Sequence, residues 1–329
     1  SGALRTSGTE DHPVVLGPAS ESWGGIVVLD AEGSSRLRHT KVFGTSGIQV
    51  GSWKLPGGVT FYRSDVEIID SEFSGTLAED ALNVVNAEVH VRGSFFGNTA
   101  SDGFDGDFVT GSFKDTEFLN IGGDGIDVSG STLSVKRVAL RNIADKAISV
   151  GEASTIVLDA SRIADVGIAV ASKDGSVANV TGLRVARASK VAFAAYRKKP
   201  EYPHAALDAS DSTISETAAT VLVQEGSTAN GNGKVYTGKQ FNRCWAHYSV
   251  AIAGVSAIGF CLMVFRLVSW RYVAMIAGLV TGITDAILLP IWMVALGVQL
   301  RRRPAEQIGP SGTVRLPDGP RQKVAHLLK

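Results

Sequence analysis

Cysteine is scarce in this chain. Only Cys244 and Cys261 occur, both in or beside a hydrophobic stretch near the C-terminus. The rest of the sequence therefore has no thiol for a disulfide framework, and the redox compartment stays unassigned. Net charge is also lacking, with 32 Lys and Arg against 32 Asp and Glu. No field draws in a polyanion, so nucleic-acid binding is not expected. A phosphate-cradling GxxxxGK[ST] loop, a G-x-S-x-G elbow and an HExxH pair are all missing, which removes the commonest ATPase, serine-hydrolase and metalloprotease signatures. His39, His90 and His204 are scattered without metal-ligand spacing, so zinc is not expected. The first twenty residues lack the basic-then-apolar profile of a signal peptide and the chain opens on Ser1, so a processed or fragmentary chain is expected.

What is abundant is glycine, at 37 residues, among short Val, Ile and Ser stretches, and these repeat. Leu82, Phe104, Ile126 and Ile148 are 22 residues apart, with Ile168 20 later; Val84, Val128, Val150 and Val170 run two positions behind. A second apolar column, Phe73, Phe96, Phe118, Leu140, Ile163 and Val185, advances in steps of 22 or 23. Alternating apolar pairs at this period read as inward-facing strand positions in stacked coils. Helical-pair repeats need longer periods and 3.6-residue runs. Asn98, Asn120 and Asn142, again 22 apart, fall two residues after the second column, where a coil bends and an asparagine ladder would satisfy the turn. The fold expected is all-β: a right-handed parallel β-helix of about 22 residues per coil over 23–225, after a lead-in of 1–22.

The stretch from WGGIVVLDAEGSSRLRHTKV to SKDGSVANVTGLRVARASKVAFAAY resembles the pectate-lyase-like superfamily of right-handed parallel β-helices. The phrases GGDGIDVSGS, DKAISVGEAS, ASKDGS and AAYRKKPEY resemble bacterial β-helix repeat proteins, some joined to domains related to spore-coat CotH kinases. The resemblance implies a β-helix whose groove binds glycans. GGDGIDV is similar to the NTDGIDV stretch of polygalacturonases, but the paired Asp that follows there is Asp145–Lys146 here and no HG element follows. No catalytic role carries over from that family.

Steps of 22 also align Asp80, Asp102, Asp124 and Lys146 in one column and Asn83, Asp105, Asp127 and Ser149 in another. Stacked coils lie about 4.8 Å apart, so Asp102, Asp105, Asp124 and Asp127 repel unless a cation, a proton or a basic neighbour offsets them. Three readings stay open. These four hold Ca²⁺, the one cofactor the sequence suggests. Asp105, Asp127 and Lys146 carry catalysis on a polysaccharide or cell-envelope glycan, as a hydrolase or lyase. Or the column is structural, with Asp accepting backbone N–H groups and Lys146 neutralising its end. Glu152, Lys173, Asp174 and Tyr196, spaced by about one coil, and Arg197, Lys198 and Lys199 extend the face as candidate substrate-binding residues.

After a linker at 226–247, Tyr248 to Phe265 is 18 uncharged residues and Tyr272 to Leu300 is 29 with a single charge, Asp285. Both are long enough to span a bilayer, so two transmembrane helices at 248–265 and 272–298 and a flexible tail at 301–329 are expected. Asp285 marks a helix–helix contact through which the hairpin would oligomerise. Arg301, Arg302 and Arg303 favour a cytoplasmic solenoid, whereas glycan-active β-helices work outside the cytoplasm, so the side of the membrane stays open. The expected protein is a membrane-anchored glycan-binding β-helix, and the alternative is a non-enzymatic envelope scaffold.

Overall fold

The computed structural model describes residues 2–238 apart from Gly51. The hydrophobic segments, Asp285 and the tail lie outside the described residues, and no helix among the described residues is long and apolar enough to cross a membrane.

The described chain is a parallel β-solenoid of about nine turns and about 23 residues per turn. Each coil contributes three short strands. The first face stacks Ser35–Arg38, Val66–Ile69, Glu88–Arg92, Thr110–Lys114, Thr132–Lys136, Thr155–Asp159, Val177–Thr181 and Ala206–Ser210 in parallel register. The second face passes through Glu72–Ser74, Phe95–Thr99 and Glu117–Ile121. The third passes through Gly57–Tyr62, Asp80–Val85, Asp102–Asp107 and Ile126–Ser129. In Ala139–Gly151, Arg162–Lys173 and Arg184–Tyr196 one strand runs through both of the latter faces. Parallel pairing begins at Arg5, whose strand Arg5–Ser7 lies on Ser35–Arg38, so part of the lead-in is already a coil. At the other end Lys234–Thr237 turns back antiparallel on Thr228–Gly231.

The core follows from the 22-residue columns. Phe73, Phe96 and Phe118 pair coil on coil, and their rings stack at 4.9 and 4.8 Å within 8° of parallel. Leu140, Ile163 and Val185 continue that column. On the third face Leu82, Phe104, Ile126 and Ile148 align as expected, but the next member is Val170, not Ile168. Ile168 pairs with Lys146 instead, because the register shifts at the corner after Ile143 and Val166 and absorbs a residue there. It packs outside the core with Ala171, Val191, Ala194 and Tyr196.

The corners obey backbone chemistry. Asn98, Asn120 and Asn142 all hold positive φ, a region Asn tolerates well. Asn120 Nδ2 donates to Asn98 Oδ1 at 2.9 Å and Asn142 Nδ2 to Asn120 Oδ1 at 2.8 Å. The ladder is solvent-exposed, and one and two coils later Asp165 and Arg187 take the same left-handed turn and close it with a bidentate ion pair. A second ladder is buried: the N–H groups of Val109, Ser131 and Ser154 donate to the hydroxyls of Ser131, Ser154 and Ser176 at 2.9 to 3.1 Å. Three coils are longer than the rest: the first, in which Arg5 pairs with Arg36, and two others. Of those two, one carries the hairpin Ile48–Val50 and Trp53–Leu55, the other the loop at 197–205.

Candidate functional site

The third face brings the two acidic columns together and separates their roles. Asp80 pairs with Asp102, and Asn83, Asp105, Asp127 and Ser149 follow one another in register. Along the corner column, Asp102 Oδ1 accepts the N–H of Asp124 at 2.8 Å and Asp124 Oδ1 accepts the N–H of Lys146 at 2.9 Å. The Lys146 ammonium turns back to lie 3.2 Å from both Asp124 oxygens and 2.5 Å from Asp145, which also receives Lys190 at 3.1 Å. Burial alone would lower the Lys146 pKa, but Asp124 and Asp145 outweigh it and hold the ammonium above its ordinary range. Asp102 is pushed up to about 6, by burial first and Asp124 second.

This geometry also bears on a cation. Asp102 and Asp124 each spend an oxygen on a backbone N–H, and an ammonium already occupies the approach to Asp124. Among the described residues no group of three or more His, Cys, Asp or Glu side chains is arranged to hold a metal ion.

The outward column is chemically freer. Asp105 accepts only a long contact from Asn83 Nδ2, at 3.3 Å. Burial, then Asp80 and Asp107, push its carboxyl up to about 9. Asp80, 2% exposed and with no hydrogen bond to Oδ2, is pushed up to about 8, again by burial first and Asp102 second. Asp107 is raised by burial and Glu152. One coil beyond Asp105, Asp127 has a buried Oδ1 without a hydrogen bond, and the Lys173 ammonium lies 3.7 Å from it. Lys173 reaches there by crossing Gly151, where a Cβ would sit 3.4 Å from the lysine Cε.

The remaining candidates border this pair. Tyr196 lies in register with Lys173, and burial raises its phenol pKa. Glu152 bonds Ser129 and Lys199, and these hydrogen bonds hold its carboxyl low against the opposing effect of burial. Asp174 is buried, and its Oδ1 accepts the N–H groups of Lys198 and Lys199 at 2.5 and 2.7 Å, which fastens the loop at 197–205 to the coil below. Arg197 N–H donates to Gln224 Oε1 at 2.5 Å. The structure therefore gathers Asp105, Asp127, Lys173, Glu152, Tyr196 and Lys199 on one face, with Lys146 and Asp124 tied to its corner. Sequence reasoning missed Asp145 and Lys190, which meet across 45 residues, and left Asp80 out of the candidate set although it sits in the column.

No family model and no curated protein matches this chain. Solved structures similar to it include the catalytic unit of a thermostable GH87 α-1,3-glucanase from Streptomyces thermodiastaticus strain HF3-3, at 15% identity, covering 62% of this chain and 50% of that one, with a TM-score of 0.34. Another is the catalytic domain of a GH87 α-1,3-glucanase in complex with nigerose, at 11% identity, covering 70% and 60%, with a TM-score of 0.34. The chain thus spans half to about three-fifths of the length of these structures.

Proposed function

We propose that the third face of the solenoid binds a polysaccharide lying along the stack of coils, and that Asp105 and Asp127 supply the acid and base for its cleavage. The observation that carries this reading is the contrast between two stacked carboxyl groups. Burial, then Asp80 and Asp107, push the Asp105 carboxyl up to about 9, while Asp127 has a buried oxygen without a hydrogen bond beside the Lys173 ammonium. One carboxyl group can give its proton to the departing sugar oxygen while an oxygen of the other attacks the sugar carbon or takes a proton from the attacking water. Lys173 is the positioning residue for Asp127, and Tyr196 and Lys199 border the path with a ring edge and a cation suited to sugar hydroxyls. The hydrophobic segments at 248–265 and 272–298 anchor the solenoid to a membrane in this reading.

One observation favours a second reading, a non-enzymatic scaffold: the corner carboxylates of Asp102 and Asp124 are spent on the backbone of the next coil. The test separates the two. Asp105→Asn and Asp127→Asn keep shape and polarity. Under the first reading they abolish oligosaccharide binding or release of reducing ends in a chain that stays folded; under the second they move only the melting temperature.

A further inference from the structure

The solenoid has a habit of pairing opposite charges on its outer surface, one coil apart. Arg36 meets Glu67, Lys41 meets Glu72, Lys136 meets Asp159, and Arg137 meets Asp115. One stretch of the second face, which elsewhere carries the pairs Lys41–Glu72 and Asp165–Arg187, breaks that habit. Arg162 and Arg184 are in direct register on adjacent coils, both exposed, and each points outward beside an inward Ile163 or Val185. Arg141 lies diagonally one coil below, in register with Ala164. None of the three has an ion-pair partner among the described residues. Ala139, Ala164 and Ala186 beside them are too short to shield the guanidinium groups, while Leu119 pairs with Arg141, Thr213 with Arg184, and the exposed Glu117 with Ala139. Like charges stacked coil on coil repel. Asp165, on the same face, is already held by two guanidinium nitrogens of Arg187.

We infer that Arg141, Arg162 and Arg184 form an anion-binding surface, and that its occupant is the headgroup layer of an anionic membrane. Planar guanidinium groups flanked by small residues suit phosphate oxygens, which they engage in pairs. Lipid is the partner that the sequence points to, because the last described strand ends at Thr237 and the first run of uncharged residues begins at Tyr248. This occupant rests on the anchored reading above. Each basic group near an anionic surface contributes about 1 kcal/mol of attraction, screened by salt.

The test is arginine footprinting with phenylglyoxal on the full chain reconstituted into vesicles of phosphatidylcholine alone or with about 30% phosphatidylglycerol. The inference predicts that modification of Arg162 and Arg184 slows roughly fivefold in the anionic vesicles and recovers in high salt, with Arg36 unchanged. Equal rates in the two lipids would overturn it. Equal protection by inorganic phosphate in neutral vesicles would also overturn it, by assigning the surface to a soluble anion. Removal of the chain from both vesicle types by alkaline carbonate would refute the anchor alone, and anionic vesicles added to that released chain would still report on the arginines.

Discussion

Lys146 is bound to Asp124 twice: its backbone N–H donates to Oδ1 at 2.9 Å, and its ammonium returns to within 3.2 Å of both carboxylate oxygens. Both side chains are largely buried, at 13% and 9% exposure, so each depends on the other for its charge. Removing one partner strands a buried charge, at a cost of about 3–5 kcal/mol. Lys146→Met is therefore expected to destabilise the solenoid by that order in a denaturant titration. Asp124→Asn keeps the acceptor for the Lys146 N–H and should cost less, because Asp145 still holds the ammonium.

Two carboxyls of the third face make stability depend on pH with a defined sign. Asp80 and Asp105 titrate near 8 and 9 in the folded chain against about 4 when unfolded. The folded state binds more protons between those limits, so their contribution is complete below about pH 4 and is lost as pH rises through 8 to 9. The melting temperature is expected to fall between pH 6 and pH 9. Asp105→Asn, neutral throughout, should shrink that fall by several degrees, about 2–4 °C per kcal/mol for a domain of this size. A profile identical in parent and variant would show that Asp105 does not hold its proton.

The exposed asparagine ladder separates two costs at one residue. Asn120 sits at φ 58° and bonds to both neighbours. Asn120→Gly loses the bonds but tolerates the turn, whereas Asn120→Ala loses both, so Ala should be less stable than Gly by about 1 kcal/mol in chemical denaturation.

The buried serine ladder should be less forgiving. Ser154→Ala leaves the N–H of Ser131 without its acceptor at a site closed to water, with an expected loss of about 1–3 kcal/mol.

Much of this architecture is legible in the sequence, and the reason is mechanical. A coil of fixed circumference repeats every side chain at the same step, so Phe73, Phe96 and Phe118, or Asn98, Asn120 and Asn142, announce their stacking by spacing alone. The spacing fails where a corner absorbs a residue, which is why Ile168 looks like a core position and is not. Ser131, Ser154 and Ser176 repeat equally well, yet serine also marks ordinary turns, so their ladder is hidden by a commoner explanation. The acidic face was legible as a cluster but not in its division of labour. Spacing puts Asp102 and Asp105 three residues apart on one coil, and only the structure shows one capping the backbone of its neighbour while burial pushes up the carboxyl of the other. The Lys173 path over Gly151 to Asp127 crosses two coils and leaves no periodic trace.

The measurement that bears most directly on the central claim is incubation of the full chain with a panel of neutral and acidic polysaccharides, following bound oligosaccharide and new reducing ends for the parent and for Asp105→Asn with Asp127→Asn. The account predicts that at least one polysaccharide is bound and cleaved by the parent, and that the double variant, folded and melting within a few degrees of the parent, loses the activity by two orders of magnitude or more, a typical loss for a missing general acid. Binding and cleavage unchanged in the folded double variant would contradict it.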